Sequence, residues 1–184
     1  MGSDSFPGQL RQGERVVWTG RPSQGLLFQP YDLFLVPFSL MWGGFAIFWE
    51  ATVLNSGAPG FFALWGVPFV LAGLFFIFGR FLADAWLRGG ISYALTTQRA
   101  VIIRNRWGET LDTIELDRAS EVRYLAGKNG RGTIRFGRLD TFGAFRGAGA
   151  GFGMWMPSLT PVPQFLAIEN ARTVFDQLQR LRGR

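Results

Sequence analysis

The chain has 184 residues with 19 basic and 13 acidic side chains, a formal net charge of +6, and neither cysteine nor histidine. Those two absences exclude disulfides, thiolate nucleophiles, imidazole bases and the commonest zinc sites, and with them most ordinary enzyme designs. The length leaves room for one domain of about 100 residues and one further part, which the hydropathy pattern identifies as a membrane anchor.

Residues 1–31 form a polar leader containing GERVVWTGRP, in which Val16, Val17 and Trp18 are the only apolar cluster. A short strand, or a surface segment packed under the later domain, is expected there. No charged residue occurs from Leu33 to Trp49; Glu50 interrupts, and a second uncharged run continues from Ala51 through Asn55-Ser56-Gly57 to Gly79. Each block approaches the roughly 20 residues needed to cross a bilayer core of about 30 Å. Spans at about 32–54 and 58–80 are therefore predicted, joined so tightly that residues 32–88 form an antiparallel helical hairpin.

Asp32 is expected to cap the first span, and Pro68 to kink the second. Ser39 and Gly43 make a small-xxx-small pair, read here as chance scatter in an apolar helix. Trp42, Trp49, Trp65 and Trp86 are candidates for interfacial positions, Trp42 and Trp65 being deep for a simple aromatic belt. A secretory signal fits poorly, because the apolar run starts only at residue 33 and meets no small-x-small cleavage site. The leader carries Arg11, Arg15 and Arg21 against Asp4 and Glu14. Residues 80–184 carry 16 basic and 9 acidic side chains, and the turn between the spans has neither Lys nor Arg. The positive-inside bias puts both termini in the cytoplasm.

After Arg80 the helix continues to a stop at Gly89-Gly90. A domain at 90–184 follows, opening with short strands at Ser92–Thr97, Ala100–Arg106, Thr110–Asp117, Glu121–Ala126 and Thr133–Arg138. Their alternation reads as half-buried antiparallel sheet. Asn129-Gly130 signals a hairpin, but a two-residue turn would set Tyr124 opposite Arg135. Burying Val122 and Tyr124 with Ile134 and Phe136 needs a register shifted by one, hence a longer glycine-assisted loop or a bulge. Residues 139–163 are rich in glycine and aromatics and read as an irregular loop with one strand at most. The last segment places Ala171, Val174, Phe175, Leu178 and Leu181 on one helical face, with Asn170 as its expected cap.

GERVVWTGRP before a two-span hairpin, YALTTQRAVI at Tyr93–Ile102 and FLAIENARTVFDQL at Phe165–Leu178 together resemble the bacterial pleckstrin-homology-like membrane proteins of the DUF304 kind, over nearly the whole chain from Gly13 to Leu181. The resemblance implies an α+β protein: a two-helix transmembrane hairpin followed by a small antiparallel β-barrel capped by a C-terminal helix, on the cytoplasmic face of a bacterial inner membrane. It attributes no catalytic residues, and one setting of the family is assembly of photosynthetic membrane complexes. The departure is the glycine-rich insert near 140–157, which leaves the last strands open.

Searched for chemistry, the sequence offers little. The glycines from Gly147 to Gly153 fail the dinucleotide pattern at Phe152 and Met154, and no Gly-Lys-Ser or Gly-Lys-Thr occurs. Strand alternation sends Asp112 to the face opposite Glu115 and Asp117, so no paired acid/base site results. Glu50, at a span end, is read as hydrated near the outer interface. No catalytic, cofactor or metal residue is assigned. Candidate contacts for a partner or lipid are Trp42, Trp49, Trp65, Phe152, Met154, Trp155 and Met156, and the basic residues Arg88, Arg99, Arg104, Arg106, Lys128 and Arg131. GFGMWMP, which contains Phe152, Met154, Trp155 and Met156, is expected either to return as a barrel strand or to present a contact surface.

The expected function is a non-enzymatic inner-membrane accessory subunit or assembly factor of a larger membrane protein complex, photosynthetic or respiratory complexes being the candidates. The alternative is a membrane-anchored module binding anionic lipid headgroups. A membrane enzyme or transporter using Asp32, Glu50 or Asp84 is a third reading. A nucleic-acid partner is not expected, since no aromatic-basic sheet motif or recognition helix occurs.

Overall fold

A computed structural model describes residues 10–118, 121–127, 129–137 and 152–183. It is a mixed α+β protein in which two long apolar helices and two antiparallel sheets meet at one end of the helices. Helix α1 runs Asp32–Asn55. The second long helix, Gly60–Arg88, is built from α2 (Gly60–Leu74), a π-helical turn (Phe75–Gly79) and α3 (Arg80–Arg88). Both are long and apolar enough to cross a membrane, and 24 residues at about 1.5 Å each span about 36 Å.

Pro68 lies inside α2 without ending it, and the break in the regular pattern falls later, at Phe75–Gly79. Asp32 does not cap α1 as expected. Tyr31 is the cap residue, without a side-chain bond, while Asp32 Oδ2 accepts the amide of Gln29 at 2.6 Å. The Gly89-Gly90 stop is where it was read: α3 ends at Arg88, and the Gly90 amide reaches the Leu87 carbonyl at 3.0 Å.

The two helices touch through small residues. Leu35, Ser39, Gly43 and Ala46 are the buried stripe of α1 below its first residue, and a Cβ added to Gly73 would stand 2.8 Å from the Gly43 Cα. The backbones are in contact there, so Ser39 and Gly43 are interface residues rather than chance scatter.

The first sheet has the order β1-β2-β3-β4, with β1 at Val16–Gly20, β2 at Ile91–Thr96, β3 at Arg99–Arg104 and β4 at Thr110–Glu115. The second has the order β5-β6-β7, with β5 at Val122–Ala126, β6 at Gly132–Phe136 and β7 at Gln164–Ile168. Among the described residues these are two sheets and not the closed barrel expected. Between β6 and β7 the described chain has a short helix α4 (Phe152–Trp155) and a 3₁₀ turn (Pro157–Leu159); α5 (Ala171–Arg182) ends the chain.

The leader is a structural part of the sheet. β1 pairs antiparallel with β2, setting Trp18 against Leu95 and Gly20 against Tyr93. The hairpin is thus an excursion between the first two strands of one sheet, and its two roots return to the same place. Ser23 continues the tie by donating its amide (3.0 Å) and hydroxyl (2.5 Å) to the Ala167 carbonyl of β7.

Tyr93, Leu95, Ile102, Ile134, Phe165 and Ile168 form the core with Ala171, Val174 and Leu178 of α5. The last three lie at the helical spacing read from the sequence, and burying each large side chain contributes about 1.5–3 kcal/mol. The central strands were expected to be half-buried. Instead β2 and β3 are buried on both faces, with Ala94, Val101 and Ile103 forming a second apolar patch.

The β5–β6 connection takes the shifted register. Tyr124 pairs with Ile134 and Val122 with Phe136, and the Gly127 amide bonds the Arg131 carbonyl at 2.8 Å, with Asn129 and Gly130 in the turn between them. Asn129 (φ 56°) and Gly130 (φ 74°) supply the left-handed conformations that this longer loop requires.

Candidate functional site

The most elaborated polar structure is at the root of the hairpin. Arg80, Asp84 and Arg88 follow at intervals of four on α3, so one helical face carries all three. Arg80 is 1% exposed and donates from Nη1 to Asp32 Oδ1 at 2.6 Å, tying the start of α3 to the start of α1. Its Nε donates to the Phe76 carbonyl at 2.9 Å inside the π-helical turn, and its guanidinium lies 4.1 Å from the Phe81 ring centre and 5.5 Å from that of Trp155.

Asp84 and Arg88, also buried, form the second pair at 2.7 Å. Asp84 Oδ1 accepts the Ser158 amide at 2.9 Å, while Arg88 donates to the carbonyls of Ser23 and Gly25. The two ion pairs thus join four chain segments: both helices, the leader after β1, and the segment carrying α4. Buried charges of this kind are costly to leave half-paired, about 3–5 kcal/mol when one partner is removed. Their arrangement fixes the angle between hairpin and sheets.

The described part of GFGMWMP, residues 152–157, is not a strand: it makes α4 and enters the 3₁₀ turn, a strap across the hairpin root. Trp155 turns inward against Phe76, with ring centres 4.6 Å apart and planes tilted by 50°, and Met156 is buried. Phe152 and Met154 point outward. The glycines of 140–151 lie outside the described residues.

The basic set divides. Arg88 and Arg99 are withdrawn from the headgroup-facing candidates, because both are buried in ion pairs. Arg104 pairs with Asp112, each about one-third exposed. Arg106 donates from Nε to the Trp86 carbonyl at 2.8 Å and stacks over the Trp86 ring at 4.8 Å. Arg131 is exposed, and Lys128 lies outside the described residues. Among the tryptophans, Trp42 packs edge-on to Phe76 at 6.4 Å and Trp49 lies against Gly66, both within the hairpin. Trp65 is exposed in a ladder with Phe61 and Phe69.

Glu50 is also placed differently from the hydrated position expected. Its carboxylate packs against Gly66, where a Cβ would collide with it, and Oε2 is buried without a hydrogen-bond partner. Asp32 and Asp84, offered as catalytic or transport carboxylates, are both engaged in the ion pairs of the root. Glu115 pairs with Arg11 and Asp112 with Arg104, separate partners as strand alternation requires.

A second buried polar knot fixes the leader. Glu14 accepts Arg99 Nε at 2.9 Å and Nη2 at 3.1 Å, the Thr96 hydroxyl at 2.6 Å and the Arg11 amide at 2.7 Å. Burial alone would raise its pKa, but the hydrogen bonds from Arg99, Arg11 and Thr96 outweigh it and hold the carboxyl at about 2. Tyr93 is displaced upward by burial, its hydroxyl oxygen accepting the Leu166 amide at 3.1 Å.

Sequence reasoning missed the root as a site. The signal was present as Arg80, Asp84 and Arg88, three charges four apart at the end of an apolar helix, and as Gly66 and Gly73, seven apart and facing α1 at Glu50 and Gly43. Compared with known proteins, the chain matches no family model, no curated protein and no solved structure.

Proposed function

We propose that the chain is a non-enzymatic inner-membrane accessory subunit or assembly factor that docks on a larger membrane protein complex. The observation that carries this reading is the root itself. A domain that needed only an anchor could hang from a flexible linker, whereas here two buried ion pairs and a strap lock the sheets to the hairpin. Such a body presents two surfaces at fixed geometry, an apolar one on the helices and a polar one on the sheets, as a subunit bridging the membrane and water-exposed parts of a complex must.

The Arg bias of the leader and of residues 80–184 supports a cytoplasmic sheet domain. Two antiparallel sheets around a common core with α5 packed on it support a pleckstrin-homology-like domain, here with its first strand on the far side of the hairpin. The exposed ladder of Phe61, Trp65 and Phe69 is the first choice for the intramembrane contact; Phe152 and Met154 are the first choice beside it. Purification of the full chain from its native membrane in mild detergent tests the proposal. A stoichiometric membrane-protein companion is expected, and a strictly monomeric protein without one overturns it.

A further inference from the structure

A groove of about 420 Å³ opens between the end of α3, the β3–β4 turn and the segment after the 3₁₀ turn. Its walls include Leu87, Ile91, Leu159 and Pro161, and its polar groups include Arg104, Arg106, Thr110, Asp112 and Thr160. Three features fix its level relative to the helices.

Leu82 and Trp86, one turn apart on α3, are 66% and 48% exposed, continuing the outward apolar face of the second span. Trp107, at the tip of the β3–β4 turn, is 78% exposed and its ring centre lies 5.9 Å from that of Trp86. Tryptophan pairs of this kind, half apolar and half polar, collect at the membrane–water boundary. The turn is also seated deliberately: a Cβ on either Gly89 or Gly90 would lie 2.5 Å from the Arg106 side chain. The glycine pair that ends the helix therefore also makes the bed on which Arg106 lies.

We propose that this groove holds the headgroup of one anionic phospholipid from the leaflet that the hairpin enters. Arg106, exposed beside Trp107, supplies the cation for the phosphodiester, as guanidinium does well, while Arg104 is held in its pair with Asp112. Leu87, Leu159 and Pro161 cover the glycerol backbone. Asp112 and Thr110 accept from a hydroxyl-bearing headgroup such as phosphatidylglycerol. A soluble phosphate ester would share the arginine contacts but would leave the apolar wall and the tryptophan rim uncovered. The inference rests on the hairpin lying in a bilayer and does not depend on a partner complex.

The test uses the full chain in detergent with equal amounts of phosphatidylcholine and phosphatidylglycerol, read by native mass spectrometry. One phosphatidylglycerol is expected to be retained in preference, and Arg106→Gln to reduce its occupancy about fivefold, the equivalent of one charge contact. Equal retention of the two lipids, or an unchanged Arg106→Gln variant, overturns the proposal. Glycerol 3-phosphate is the soluble competitor: displacement of the lipid at comparable concentration assigns the groove to a soluble ligand and overturns it too.

Because Arg106→Gln could loosen the turn, Trp107→Phe gives an independent reading. In vesicles with brominated phosphatidylglycerol, the wild type should show a quenchable component that the variant lacks. Loss of no such component refutes the membrane-level placement. Absence of quenching from every tryptophan, Trp65 included, would instead refute the bilayer hairpin.

Discussion

Glu14→Gln is the sharpest probe of how the leader is held. The carboxylate is fully buried and takes four hydrogen bonds, two of them from Arg99. Its pKa falls from 4.5 to about 2, a difference worth about 3 kcal/mol at roughly 1.4 kcal/mol per unit. The sign follows from the direction. A depressed carboxyl contributes fully above the unfolded value of 4.5 and loses that contribution as pH falls toward the folded value of about 2. At neutral pH, Glu14→Gln should lower stability by about 3 kcal/mol, which for a chain of this size is roughly 6–12 °C in Tm.

The assay is thermal unfolding in detergent followed by near-ultraviolet circular dichroism, sensitive to Trp18, whose ring centre stands 5.5 Å from that of Phe165. The wild type should lose stability steeply below pH 4.5, and the variant should show a flatter slope in that window. The double variant Glu14→Gln with Arg99→Gln should recover part of the loss, since a buried pair removed together costs less than half of it removed alone. An unchanged Tm in Glu14→Gln with the same acid slope as wild type would show that the knot does not hold the leader, and the reasoning would fail.

Three further outcomes follow from the root and the helix contact. Arg80→Met should destabilise by about 3–5 kcal/mol by stranding Asp32, and Asp32→Asn in the same chain should restore much of it; additive losses in detergent unfolding would refute the coupling. Gly73→Leu places a side chain where a Cβ already meets Gly43 at 2.8 Å, so the hairpin should part or shift at about 1–3 kcal/mol, read as a lower aggregation midpoint, while Gly44→Leu, with nothing within 4 Å, should be neutral. Trp155→Ala removes the ring contact with Phe76 and should cost about 2 kcal/mol, seen as faster limited proteolysis of residues 152–163 with the sheets intact.

The parts of the fold legible in the sequence were those governed by local rules. Charge-free length predicted both helices, Gly89-Gly90 their end, and the spacing of Ala171, Val174 and Leu178 the face of α5. Even the shifted register at Asn129-Gly130 was legible, because apolar pairing and turn chemistry disagreed there and burial of Tyr124 against Ile134 decides the matter. What escaped were contacts between distant segments. VVWTG, five residues long, read as a short strand or a surface segment, and nothing local named its partner, which stands beyond the whole hairpin. Trp155 and Met156 read as part of a returning barrel strand or a contact surface, because nothing local shows that Phe76 lies against Trp155. Arg88 and Arg99 read as loop cations because burial of a charge depends on a partner, Asp84 or Glu14, whose position only the tertiary structure gives.

That topology makes a last prediction about the hairpin. Gly20 faces Tyr93 across the β1–β2 pairing, so the excursion closes a loop of about 72 residues where about four would suffice. For a flexible chain the longer loop costs about 2–3 kcal/mol more to close, and the helical hairpin offsets this by bringing residues 32 and 80 together through their ion pair. The principal core of the sheets and α5 contains no residue from 32–88. Replacing residues 21–90 by a four-residue Gly/Asn turn should therefore yield a water-soluble protein with both sheets formed, lacking the Ser23–Ala167 bonds and with a loosened strap, since Trp155 and Ser158 lose Phe76 and Asp84. Amide hydrogen exchange reads this directly: protection should persist in β2, β3, β6 and α5 and fall over 152–160. If protection is lost throughout, the hairpin is part of what folds the domain, and the ion pairs at its root do more than set an angle.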